Sequence, residues 1–258
     1  MKLTADYHTH TVYSHGKGNI YENAESAKKL GLKEIGITDH GFSHPAYGVR
    51  RRELLKMKTE CYDASEKTGV NVILGVEANI LNDSGKTDVR TSDYDYLDLY
   101  LAGFHKFVLA NPFSYAKLML PNYCDNAFRV KPSKRLVSET TKAYIEVIKK
   151  NPIDIITHTN FCVFADAVEV AKACADYGTY MELNSKKTHL TDEELVNVLK
   201  TGVKFVVDSD AHTTDRVGDT LRVEEQLKRV DFPFDRIANA DGRLPDFRFK
   251  RFKNKGQL

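Results

Sequence analysis

Short runs rich in Val, Ile and Leu alternate along the chain with longer stretches whose apolar residues recur every three or four positions. The short runs predict strands at Leu3–Tyr7, Glu34–Thr38, Asn71–Val76, Tyr96–Ala102, Ile153–Thr157, Thr179–Leu183 and Lys204–Val207. The longer stretches predict helices at Asn23–Leu30, Arg51–Thr68, Ser133–Lys150, Ala165–Tyr177, Asp192–Thr201 and Thr220–Lys228. Thr191 followed by Glu194 has the spacing of a capping box at the start of the fifth helix. Strands that are apolar almost throughout and separated by helices are expected to be parallel and covered on both faces. A doubly wound sheet and a barrel both satisfy that pattern.

The polar residues at the strand ends favour the barrel. Strand one ends in His8 and His10, which share a face because residues two apart in a strand point the same way, and His15 follows in the next loop. Strand two ends in Asp39 and His40, strand three in Glu77, strand four in His105, strand five in His158, and strand seven in Asp210 and His212. Seven of the nine histidines therefore stand at one end of the predicted strands, and the other two, His44 and His189, fall in loops at that end. Such residues converge only if the strands form a ring, so we read the chain as an α/β, TIM-like barrel of seven strands. Asp39, adjacent to His40, points to the opposite face and reads as structural; Asn79 and Asn184 read as hydrogen-bonding residues of the rim.

Imidazole and carboxylate ligands without a neighbouring thiolate suit Zn²⁺, Mn²⁺ or Fe²⁺. His8, His10, His15, His40, Glu77, His105, His158, Asp210 and His212 are too many for one ion. Two or three divalent ions, with a carboxylate such as Glu77 bridging a pair, account for them, and a multinuclear centre of this kind is suited to hydrolysis.

Composition narrows the rest. At 258 residues with 41% hydrophobic residues and no linker rich in Pro, Gly or Ser, one domain over 1–258 is expected. A net charge of +2 supplies no global field for nucleic acid or an anionic membrane. Four cysteines without a C-x-x-C pair, no signal-peptide core and no apolar run long enough to span a bilayer fit a cytoplasmic protein. Residues 106–132, with Pro112, Pro121 and Pro132, read as a long loop after strand four. Residues 247–258 read as a basic tail docked through its phenylalanines.

His8-Thr9-His10-Thr11, Ser14-His15, Thr38-Asp39-His40-Gly41, Gly75-Val76-Glu77-Ala78-Asn79, Gly103-Phe104-His105 and Ser209-Asp210-Ala211-His212 resemble the successive motifs of the PHP (polymerase and histidinol phosphatase) family. The likeness is strongest to its small stand-alone bacterial phosphatases and runs from Asp6 to about Asn239. The chain departs from the family where Thr159, not the usual proline, follows His158. The resemblance implies a distorted (β/α)7 barrel, the PHP fold, holding three divalent ions. It assigns one ion to His8, His10, Glu77 and Asp210, a second to Glu77, His105 and His158, and a third to His15, His40 and His212.

The chemistry expected is hydrolysis of a small phosphomonoester by a metal-activated water, with Glu77, Asp210 and His212 at the reacting group. Lys106 and Arg216 are candidates to hold phosphate, ahead of Lys17 and Arg50-Arg51-Arg52, and His44 or His189 could protonate the leaving alkoxide. The partner expected is a small phosphorylated substrate, without nucleic acid or membrane, and a homo-oligomer is compatible with the sequence. The alternatives are a phosphodiesterase or 3′-5′ exonuclease, an amidohydrolase-type enzyme, and a metal-binding regulatory protein without catalysis.

Overall fold

The computed structural model describes residues 1–256. The apolar runs form seven strands: β1 (Ala5–Thr9), β2 (Glu34–Ile37), β3 (Asn71–Asn79), β4 (Leu99–Gly103), β5 (Ile155–Ile156), β6 (Tyr180–Asn184) and β7 (Phe205–Asp208). They pair in sequence order, every pair parallel. The intervening helices include α1 (Ile20–Leu30), α2 (Leu54–Thr68), α5 (Lys134–Lys150), α6 (Ala167–Tyr177), α7 (Asp192–Leu199) and α8 (Leu221–Leu227). Helix α1 starts three residues ahead of its apolar pattern, because Asn19 caps it reciprocally with Glu22, each side chain accepting the other's backbone N–H at 2.9 Å. Thr191 and Glu194 form the expected box at α7. Among the described residues, no helix is long and apolar enough to cross a membrane.

The ring is nearly closed between β1 and β7. At the C-terminal end of the strands, His10 N–H donates to Ala211 O at 2.8 Å and Ala211 N–H donates to His8 O at 3.2 Å. Lower down a side chain replaces the ladder. Asn239 donates to the carbonyls of Ala5 (2.9 Å) and Val207 (2.7 Å) and accepts Val207 N–H (2.9 Å). One amide thereby satisfies backbone groups of both edges.

Two apolar layers follow from the alternation of the strands. A small inner cluster of Ala5, Tyr7, Leu99, Leu101, Ile155, Tyr180 and Val206 fills the barrel, and Phe247 joins it with its ring 4.8 Å from that of Tyr7. The larger layer lies between strands and helices. The inner cluster occupies the N-terminal half of the barrel, which leaves the C-terminal half to polar side chains.

Two segments differ from their sequence reading. Residues 106–132 are largely helical: α3 (Pro112–Ser114), a π turn (Tyr115–Met119) and α4 (Leu120–Phe128) follow one another without a break. Pro112 stands in the first turn, where the missing N–H costs least and Asn111 supplies the cap, while Pro121 follows just after the π turn. The basic tail forms α9 (Arg248–Asn254), with Phe249 fully buried against Tyr94; Gln257 and Leu258 lie outside the described residues.

Candidate metal centre

A bulge in β1 aims its two histidines. Asp6 pairs with Ile35 and Thr9 with Ile37, so β1 advances three residues while β2 advances two. The extra residue lets Ala5 and Tyr7 face the inner cluster while His8 and His10, of opposite parity, also face inward. Without the bulge, strand alternation would have turned one set outward.

Glu77 is the hub. It is fully buried on β3, and nitrogens of five imidazoles surround its carboxylate: His158 Nε2 at 2.6 Å and His105 Nε2 at 3.0 Å from Oε1, and His40 Nδ1 at 3.0 Å, His8 Nε2 at 3.2 Å and His10 Nε2 at 3.7 Å from Oε2. Asp210 closes the other side, its Oδ1 3.3 Å from His10 Nε2 and from His212 Nδ1. The ring of His15 lies 4.8 Å from that of His40 and 4.1 Å from that of His212. All nine residues singled out as ligands thus meet in one cluster. Within it His8, His10 and Asp210, then His40, Glu77 and His105, then His10, His40 and His212 each bring donor atoms within 4.8 Å of one another, close enough to hold a metal ion. These groups share His10 and His40, whereas the motif-by-motif pairing keeps its first and third groups apart and draws His15 and His158 into the set.

The cluster tolerates no crowding. A Cβ on Gly103 would stand 2.8 Å from His158 Cε1, so only glycine lets β4 pass beside that ring. His158 itself takes φ 27° and Asp210 φ 48°, a region that side-chain-bearing residues seldom occupy. Both are fastened by β6. Glu182 accepts the His158 N–H at 2.6 Å and stands 2.5 Å from His8 Nδ1, while Asn184 Nδ2 donates to Glu182 at 3.0 Å and to Asp210 at 3.2 Å. With the carboxylate as acceptor, His8 keeps a proton on Nδ1; burial would lower this ring, but Glu77, Glu182 and Asp210 hold it well above its ordinary range, so Nε2 would give up its proton as a cation binds beside Glu77.

Electrostatics favour cation binding. Burial holds His10 well below its ordinary range and lowers His105 and His212 to about 4 and His15 to about 3, so these imidazoles are neutral near pH 7 with lone pairs available. Burial alone would raise Glu77 and Asp210; the histidines around Glu77, and His8 and His10 beside Asp210, instead hold both well below the carboxylate range. His40 Nδ1, both ring nitrogens of His105, His158 Nδ1 and Glu77 Oε2 are buried without a well-formed hydrogen bond. A donor set of this composition fits divalent metal ions.

The other candidates are scattered more widely. Lys106, His44 and His189 line a cavity of about 470 Å³ above the cluster. Arg216 lies outside it, paired with Asp219 at 3.0 Å, and Arg51 pairs with Asp93 at 3.0 Å. Lys17, Arg50 and Arg52 also lie outside the cavity, on the exposed surface. Asp39 accepts Thr11 N–H, Thr11 Oγ1–H and Ser14 Oγ–H at 2.5–2.7 Å and so holds the loop that carries His15. Asn79 donates to Asp88 at 2.6 Å. The sequence reading missed Glu182 and Lys186, whose Nζ is 3.3 Å from Asp210 Oδ1 and 3.2 Å from His212 Nδ1. The E-x-N spacing of Glu182 and Asn184 at a strand end was the available signal.

A parallel α/β barrel with a histidine–carboxylate cluster at the C-terminal ends of its strands defines the class: a barrel protein whose chemistry sits on the strand-end loops. Within that class, residues 6–186 match the PHP domain, and the chain belongs to the PHP domain family. Over 262 residues it is 30% identical to a protein named "Probable phosphatase" from Thermoanaerobacter sp., covering 96% of this chain and 95% of that one. A relative of the same name from Acetivibrio thermocellus is 29% identical over 266 residues, covering 99% and 98%. Among solved structures, the histidinol phosphate phosphatase of Lactococcus lactis, complexed with zinc, L-histidinol and phosphate, aligns with a TM-score of 0.59 at 15% identity, covering 95% of this chain and 99% of that one. That likeness is one of fold.

Proposed function

We propose that this protein is a metal-dependent phosphoesterase that hydrolyses a small-molecule phosphomonoester at a centre of three divalent ions, zinc, manganese or iron. The observation that carries the reading is Glu77, a carboxylate sealed from solvent and ringed by five imidazoles at 2.6–3.7 Å. Burying polar groups is unfavourable unless each finds a partner, and His40 Nδ1, both His105 nitrogens and Glu77 Oε2 lack a well-formed hydrogen bond, whose place a cation would take. Membership of the PHP family, with relatives named as phosphatases, supports the same reading.

His8, His10, Glu77 and Asp210 would hold one ion, Glu77, His105 and His158 a second, and His15, His40 and His212 a third. Bound there, divalent ions supply Lewis-acid neutralisation of phosphoryl oxygens and activation of water. In the net reaction water adds to phosphorus, the ester P–O bond breaks, and the departing oxygen takes a proton, giving alcohol and inorganic phosphate. Lys186, beside Asp210 and His212, would steady charge on the phosphoryl oxygens, and Lys106, from the loop after β4, lines the same cavity. His44 receives the Tyr47 N–H on Nδ1 at 3.0 Å, so its Nε2–H could hydrogen-bond the leaving oxygen, while the proton which that oxygen takes up comes from the attacking water.

The test is hydrolysis of p-nitrophenyl phosphate by metal-stripped protein before and after adding Mn²⁺ or Zn²⁺, with His10→Ala as control. Activity that returns with metal and is absent in the variant is expected. Protein that binds its ions yet hydrolyses no phosphomonoester would contradict the proposal.

A further inference from the structure

The cavity above the cluster has walls of one chemical character. Its carboxylates are Glu77 and Asp210, both turned into the histidine cluster. Everything charged in the outer wall is cationic: Lys106 from the loop after β4, and Lys186 and Lys187 from the loop after β6. The two β6 lysines are held in place, because Asn184 Oδ1 accepts both their backbone N–H groups, at 3.0 and 3.2 Å, while its Nδ2 donates to Asp210. Their positions are thereby tied to the centre. Lys186 already faces Asp210, which leaves Lys106 and Lys187 without a carboxylate in the cavity.

The remaining wall is aromatic. Phe161 packs 5.0 Å from the His158 ring and 5.5 Å from His189, and Tyr47 lies 4.5 Å from His15. Phe107 lines the mouth 68% exposed, on a backbone at φ 61° that a bulky residue rarely adopts. A large apolar ring held out to solvent by a disfavoured backbone marks a surface that binding would cover.

We propose that the substrate is a phosphomonoester whose alcohol portion carries a flat ring and a second anionic group, and that the site disfavours cationic leaving groups. This rests on the phosphomonoesterase reading. An ammonium-bearing alcohol, such as the histidinol bound by the Lactococcus enzyme, would meet three lysines and no free carboxylate in the outer wall. A carboxylate or second phosphate would meet Lys106 and Lys187.

The experiment uses three aryl phosphates of matched leaving-group acidity: para-(carboxyethyl)phenyl, para-ethylphenyl and para-(aminoethyl)phenyl phosphate, with the metal-loaded protein at low salt. The kcat/KM should fall in that order, by about tenfold from acid to amine, as expected for partly exposed ion pairs. Lys187→Gln and Lys106→Gln should each shrink that ratio, and Phe107→Ala should raise KM for all three more than it lowers kcat. Equal rates for the three, or a ratio that both lysine variants leave intact, would overturn the inference and leave the phosphomonoesterase reading standing. Hydrolysis of none of them would overturn both.

Discussion

Glu182→Gln isolates the role of a residue that touches the cluster only from behind. The carboxylate is buried and serves three groups: His8 Nδ1 at 2.5 Å, His158 N–H at 2.6 Å and Asn184 Nδ2 at 3.0 Å. Glutamine keeps the shape but turns one oxygen into a donor. Either the His158 N–H loses its acceptor, or His8 must carry its proton on Nε2, facing Glu77 and not a cation. Losing one charge-assisted hydrogen bond in a buried site costs about 1.5–3 kcal/mol, and each 1.4 kcal/mol is tenfold in a binding constant. Zinc affinity should therefore fall by roughly 10- to 100-fold. Competition with a chromophoric chelator measures it, and urea unfolding of the metal-free protein gives the accompanying stability change. Unchanged affinity alongside reduced stability would refute the reasoning, because it would mean that Glu182 holds the turn at His158 and does nothing to orient His8.

Two further predictions concern the fold that supports the centre. Phe249→Ala removes a fully buried ring 4.9 Å from Tyr94 and 5.8 Å from Tyr100, so it should destabilise by about 3–5 kcal/mol in urea; a loss below about 1 kcal/mol would mean that α9 is not anchored through that ring. Asp154 accepts Tyr100 N–H and Phe249 N–H, yet burial raises its carboxyl from 3.8 to about 7. The native state therefore holds a proton that the unfolded chain releases between those values, so stability falls as pH rises through that window and levels off above it, by roughly 4 kcal/mol in all. Asp154→Asn lacks that slope, so the variant should gain on the wild type between pH 5 and pH 8; a constant difference would contradict the assignment.

Much of the centre was legible because strand alternation and strand ends are local properties. His8 and His10 two apart, Glu77 closing β3, and His105 and His158 after theirs could all be placed from apolar runs that stop at a ligand. The bulge that aims both His8 and His10 inward depends on how β1 pairs with β2, which no single strand displays. Glu182 lies inside a strand whose end bears no histidine, so its contact with His8, distant in sequence, was signalled only by the E-x-N spacing with Asn184. Residues 106–132 were misread for a different reason: Pro112 and Pro121 looked like breaks, although Pro112 opens a helix at its first turn and Pro121 follows a π turn inside the same run. That helical segment supports the centre from outside, since Tyr123 Oη donates to His105 O at 2.5 Å. Arg216 followed His212 closely enough to suggest the cavity, but its Asp219 partner lies within the same turn and holds it aside.

The number of divalent ions that the strand-end cluster binds tests the account most directly. Zinc titrated into metal-stripped protein, followed by calorimetry and by elemental analysis after gel filtration, should saturate at three equivalents per chain, and Glu77→Gln should lose more than one of them, since the proposed centre shares Glu77 between two ions. Saturation at a single equivalent, or a Glu77→Gln variant that keeps its full complement, would contradict a multinuclear centre built around that carboxylate.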